Sequence, residues 1–325
     1  MLRYIGKRLL QMIPILLVVA ILIFTLMQFV KGDPVQIMLG DSATQTQIEQ
    51  VREELGLNRP FLVKLGSFLN DLIHFDFGES YMTRMKVVEE LMLRFPNTLI
   101  LALMSVLISI CLGVPIGIRS ALKANKLEDR FWMFVTLLAN SMPGFWLALL
   151  LVLLFSVWLD LLPSSGIGGI QFFILPVLSG SIGSIASIAR QTRSSMLEVI
   201  RADFVTTAIS KGLSQRDVIW KHALPNALIP IITITGSSIG LHLGGTAITE
   251  SIFSIPGIGL YMLNGINSRD YPVVQGCIIY LAFTFSIMML VTDLVYAFVD
   301  PRIKAQYMRR SKKKTKSAET AKSAA

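Results

Sequence analysis

Six apolar runs of bilayer-spanning length constrain this chain more than any other feature. They lie near residues 9–30, 98–118, 133–157, 172–190, 227–249 and 276–298. Each suits a helix of about 20 residues crossing a hydrocarbon core, and a helix satisfies its backbone polar groups internally, as lipid requires. The 325 residues are 53% hydrophobic and only 16% charged, against about 25% charged in soluble domains. The expected fold class is therefore all-α: a polytopic membrane protein with six transmembrane helices. The first run follows Arg3, Lys7 and Arg8. It is too long for a leader h-region and no small-x-small cleavage site precedes Lys31, which favours an uncleaved span.

Basic residues set the orientation. With the N-terminus inside, 22 of the 30 Lys and Arg residues fall on cytoplasmic segments, and both termini are expected in the cytoplasm of a prokaryotic cell. The chain then divides into an N-terminal end with the first helix (1–31), an extracytoplasmic loop domain between helices 1 and 2 (32–94), a membrane domain of helices 2–6 (95–299) and a basic tail expected to be disordered (300–325). The outer loop is expected to form a small ordered cap, with a helical pattern in "TQTQIEQVREELGL" and turns at Gly32-Asp33-Pro34 and "DFGES". A second outer segment, "ESIFSIPGIGLYMLNGINSRDYPVVQG", reads as a re-entrant or interfacial piece packed on protein.

The net charge of +9 does not point to nucleic acid, because nine Lys and Arg lie in the tail beyond Pro301. Such a tail suits anionic lipid. Cys111 and Cys277 sit in apolar runs and read as small buried hydrophobes. His74, His222 and His242 have no ligand-spaced partners, so no metal site and no bound cofactor are expected. No GxxxxGK[ST] phosphate loop occurs, and no nucleophile–base pair marks an enzyme. The spans hold few ionisable groups, chiefly Asp293 and His242. A proton-driven secondary transporter, the different-class alternative, usually keeps a relay of such groups.

Spans four and five carry faces of small residues. Ser179, Gly183 and Ser187 repeat at four, as do Gly236, Gly240 and Gly244. Such faces permit close helix approach; tight packing and the lining of a translocation path both remain open. Between these spans runs the polar segment 201–225. A short helix from Asp203 to Lys211, a left-handed Gly212, a Ser214–Asp217 capping box and a second helix to about Ala223 are expected, with Pro225 marking the exit. Ala208, Gly212 and Leu213 would then be presented at the bend. By physics alone the pair either docks a partner or merely joins two spans.

This segment resembles the coupling motif of ATP-binding-cassette importer permeases, Glu-Ala-Ala-x3-Gly-x9-Ile-x-Leu-Pro. Ala208, Gly212, Leu224 and Pro225 match, while Thr206, Thr207 and His222 replace the Glu, the first Ala and the Ile. "LGLNRP", "DFGES", "RFPNT", "SMPGFWLALLLV", "ARQTRSSMLEV", "PGIG", "RDYPVVQ" and the closing "DPR" are similar, in order, to the peptide/nickel branch of that family. The resemblance implies a type I importer permease fold. The chain would form half of the translocation pathway beside a homologous second permease, with two ATPase subunits using ATP and Mg and an extracytoplasmic binding protein delivering di- or oligopeptides. Nickel, metal chelates and glutathione are the neighbouring cargoes. Thr206, Thr207, Ala208, Gly212, Leu213, His222, Leu224 and Pro225 would then form the ATPase-coupling element.

Overall fold

The computed structural model describes residues 2–30, 32–40 and 43–299; the basic tail and the Asp-Pro-Arg at 300–302 lie outside them. The described chain is helical, and its only extended pairing is an isolated bridge between Glu79 and Lys86. Helix α1 (Leu2–Phe29) turns a row of large apolar side chains outward, including Leu10, Ile13, Val18, Leu22 and Leu26. Such a surface suits lipid rather than water.

Three helices follow between the first two spans: α2 (Pro34–Leu39), α3 (Gln45–Glu54) and α4 (Phe61–Ile73). Their starts are written in the sequence. Asp33 caps α2 by accepting from the Val35 N–H at 3.0 Å and also meets Arg52. Thr44 and Gln47 form a reciprocal capping box on α3. Helix α4 packs on α1 through stacked Phe24 and Phe68 rings, 5.1 Å apart, and through Lys64 donating to Gln28 at 2.8 Å.

Helix α5 (Val87–Leu122) is 36 residues long and runs straight through the domain boundary expected at 94/95. Glu89 and Glu90 in its first turn suit the positive end of the dipole. The third apolar run, expected as one span, is two helices: α6 (Leu127–Ser141) and α7 (Gly144–Val152), the latter running into a π-helical stretch, Leu153–Trp158. Pro143 causes the break, since it lacks an N–H and disfavours helical geometry at the residue before it. Counting that pair as one span gives six. Helices α8 (Gln171–Ile200), α11 (Leu224–Ile252) and α13 (Tyr271–Val299) supply the others, and α12 (Ile258–Ser268) is the packed piece of the second outer segment.

The chain forms two compact units. The first comprises residues 1–108, 141–182 and 239–287. One of its cores gathers Val87, Leu91, Ile258, Tyr261, Val273 and Cys277, and two buried carboxylates pin its loops. Glu250 accepts from the Thr98 hydroxyl at 2.7 Å and the Leu260 N–H at 2.8 Å, while Thr98 accepts from the Ile258 N–H at 2.8 Å. The start of α12 is thereby tied to α5. Asp270 accepts from the Ser80 hydroxyl and from the Tyr81 and Met82 N–H groups. "DFGES" and "RDYPVVQ", nearly two hundred residues apart in sequence, meet there. Burial, helped by the Asp270 charge, pushes the Tyr81 phenol well above its usual range.

The second unit comprises 109–140, 183–238 and the described residues 288–299. Ile118, Ala121, Met196, Ala223, Ala227 and Ile231 form its core. Helix α5 approaches α8 closely here: a Cβ on Gly117 would stand 2.5 Å from the Ala189 carbonyl oxygen and from Thr192 Cβ. Cys111, expected to be buried, is exposed on α5, whereas Cys277 is buried. An apolar helix in a membrane protein carries such residues on its outer face as readily as within.

Candidate docking site

The polar segment folds largely as its residues dictate. Helix α9 (Asp203–Ser210) has Asp203 in its first turn. It ends in a Schellman motif, with the Gly212 N–H donating to Ile209 at 2.9 Å and the Leu213 N–H reaching back to Ala208 at 3.4 Å. That closure needs a left-handed residue, and Gly212 adopts φ +79°. Ser214 then caps α10 (Gln215–Asp217) by accepting from the Asp217 N–H at 3.2 Å. The Asp217 carboxylate takes the Ser214 hydroxyl and pairs with Lys221 at 2.6 Å. It thus completes the capping box with the hydroxyl rather than with the Ser214 backbone.

Two expectations need correcting. Ala208 is not presented at the bend: it is buried with Val205 and Val218, and these three side chains weld α9 to the helical stretch after it. Nor does Pro225 end the second helix. A π-helical stretch, Val218–Ala223, leads directly into α11, so the chain is helical from Gln215 to Ile252. The π-helical stretch directly before Pro225 opens the register that its ring and missing N–H would otherwise obstruct.

The pair exposes large apolar side chains among polar ones such as Lys211, Ser214 and Arg216. Phe204, Ile209, Leu213 and Trp220 are 40–57% exposed, and Thr206, Thr207, Gly212 and Pro225 are exposed beside them. His222 and Leu224 are half-buried. No large side chain covers Gly212, since a Cβ there would meet nothing within 4 Å. A shallow, partly apolar bend with accessible backbone is what a partner groove can seat.

The small-residue faces divide. A Cβ on Gly236 would stand 2.3 Å from Thr292, and one on Gly240 would stand 2.1 Å from Phe285, so both serve close approach of α11 to α13. Ser179 is buried and donates to the Pro176 carbonyl at 2.9 Å. Gly183 and Gly244 face open space, and Ser187 is half-buried. His74 is exposed with Nδ1 2.9 Å from the Asn70 carbonyl, and His242 is buried. Among the described residues no three His, Cys, Asp or Glu side chains gather as a metal group.

Sequence reading missed Gly113 and Gly117, although their spacing of four is the same close-packing signal found in α8 and α11. It also missed Asp129 and Arg193. Arg193 sits inside the block "ARQTRSSMLEV", but nothing local reveals a carboxylate partner 64 residues earlier.

Long apolar helices, and an exposed helix pair leading into one of them, mark a chain that crosses a membrane several times. Known proteins agree. The fold is similar to a chain of the MetNI methionine ABC transporter in an inward-facing conformation, with TM-score 0.57 and 16% identity over 66% of this chain and 97% of that one. By sequence the chain is 40% identical over 306 residues to a putative peptide transport system permease protein of Brucella abortus (92% of this chain, 98% of that protein). It is 40% identical over 332 residues to the dipeptide transport system permease protein DppB of Alkalihalophilus pseudofirmus (94% and 100%). It is 38% identical over 304 residues to the glutathione transport system permease protein GsiC of Salmonella typhimurium (94% and 99%). Residues 113–305 match the binding-protein-dependent transport system inner membrane component, and residues 1–102 match the N-terminal part of such components. The chain belongs to this family: it is a multi-pass ABC importer permease of the peptide/nickel branch, a transport component rather than an enzyme.

Proposed function

We propose that this chain forms half of the translocation pathway of an importer for di- or oligopeptides, beside a homologous second permease. An extracytoplasmic binding protein delivers the peptide, and two separate ATPase subunits supply the energy from ATP and Mg. The observation that supports the coupling role is the exposure of Phe204, Ile209, Leu213 and Trp220 on a helix pair that turns at an uncovered Gly212. It sits on a segment whose basic residues favour the cytoplasm. The peptide assignment rests on the names of the Brucella and Alkalihalophilus relatives. The Salmonella relative supports glutathione as a second reading. Nickel and metal chelates are further cargoes implied by the resemblance.

Reconstitution tests this directly. In vesicles holding both permeases, both ATPases and the binding protein, uptake of labelled peptide should require ATP and stop when the ATPase subunits are inactivated. Uptake that persists would mark an ATP-independent transporter. Titrating the cognate binding protein with dipeptides, oligopeptides, glutathione and nickel chelates decides the cargo.

A further inference from the structure

The second unit holds an ion pair, buried at its carboxylate and half-buried at its arginine, that the docking surface does not use. Asp129, in the first turn of α6, is 3% exposed. Arg193 of α8 grips it as a fork, Nε to Oδ1 and Nη2 to Oδ2, both at 2.7 Å. The Ser120 hydroxyl, near the end of α5, donates to Oδ1, and the Asn125 N–H donates to Oδ2 at 2.8 Å. Asn125 is left-handed, with φ +63°, so the α5–α6 turn wraps its backbone around the carboxylate. Both carboxylate oxygens are doubly satisfied. This is the arrangement in which a buried pair holds one geometry, because removing either partner strands a desolvated charge.

Its place in the unit matters more than its strength. Arg193 lies two turns before the end of α8 at Ile200, and α9 starts at Asp203. On the same turns of α8, Met196 packs in the core with Ala223 and Ala227, and Val199 packs against Val205, Ala208 and Val218. The last turns of α8 therefore hold the helix pair by apolar contact and the α5–α6 turn by a rigid ionic fork. Apolar contacts can slide, whereas a bidentate fork with every lone pair engaged cannot shift by even about 1 Å without losing hydrogen bonds.

We propose that Asp129 and Arg193 are positioning residues for energy coupling: they make the α5–α6 turn move with the docking helix pair, so that ATPase closure is passed to α5 and α6 as well as to α8 and α11. This rests on the docking role proposed above.

The test uses the complete transporter in lipid nanodiscs and vesicles, comparing wild type with Asp129→Asn, Arg193→Gln and the double variant. Peptide transported per ATP hydrolysed should fall about fivefold or more, the low end of a coupling free energy between sites, while the complex stays assembled and ATP hydrolysis continues. The double variant should be no worse than either single. Arg193→Lys keeps a cation but not the fork, and should show a smaller loss with assembly intact. An unchanged ratio in Arg193→Lys and Asp129→Asn overturns the proposal, as does a parallel fall of transport and hydrolysis through lost assembly. Leu213→Asp separates the two ideas. It should shed the ATPase subunits; if they stay bound and transport continues, the docking role fails whatever the ion pair does.

Discussion

At Gly212 the backbone stands at φ +79° with open space where a side chain would be. Substitution there acts through conformation alone, since no neighbour is displaced. Any L-residue forced left-handed costs roughly 1–2 kcal/mol, and a β-branched one more. Gly212→Val should therefore open the Schellman closure and reshape the apolar surface around it, abolishing ATP-driven uptake while the subunit still inserts and is recovered from membranes. Gly212→Asn, which tolerates this conformation, should retain most activity. Uptake measured beside membrane abundance checks the pair of variants, and full uptake with Val would remove Gly212 from the coupling surface. The same scale shows what a local reading cannot supply. The Gly, the Ser cap and the acidic first turn are short-range signals, and each lies where the residues place it. The burial of Ala208 depends on Val218, ten residues later, and Thr98, which meets Glu250, and Arg193, which meets Asp129, lie much further along the chain.

Among the helices, the decisive contacts are backbone approaches. Gly117 on α5 faces the Ala189 carbonyl and Thr192 of α8, whereas Gly183 on α8 faces nothing within 4 Å. Gly117→Ala should cost roughly 1–3 kcal/mol by overpacking, lowering the thermal midpoint of the purified subunit, while Gly183→Ala should leave it nearly unchanged. Equal melting shifts would contradict this ordering. Small-residue spacing announced close approach without saying which repeat makes it: Gly236 and Gly240 do, and Gly244 does not. Element existence was easier to read than element limits, because a long unbroken apolar run admits few alternatives. The break at Pro143 and the run of helix through Pro225 show why limits are harder. The same residue type stops one helix and is absorbed by another, depending on the register around it.

For the whole molecule, the distribution of Lys and Arg predicts a topology that labelling can check. With Cys111, which is exposed, and Cys277 first replaced by Ser and Ala, a single cysteine at Gln215 should react with a membrane-impermeant maleimide only in inside-out vesicles. One at Asn58 should react only in right-side-out vesicles. Labelling of both from one side would overturn the orientation. Family membership was legible from many short blocks occurring in order along the chain. The cargo was not legible, because no residue pattern in the chain discriminates a dipeptide from glutathione.

The helix pair is fastened differently at its two ends. Toward α8 it hangs on the short turn through Arg201 and Ala202, with the Ala202 N–H held by the Val199 carbonyl at 3.0 Å. Toward α11 it has no joint, only an unbroken helix whose softest place is the π-helical turn at Val218–Ala223. A push on α9 of the kind proposed above would therefore reach span five through continuous helix, and span four through the packing of Val199 against Val205, Ala208 and Val218.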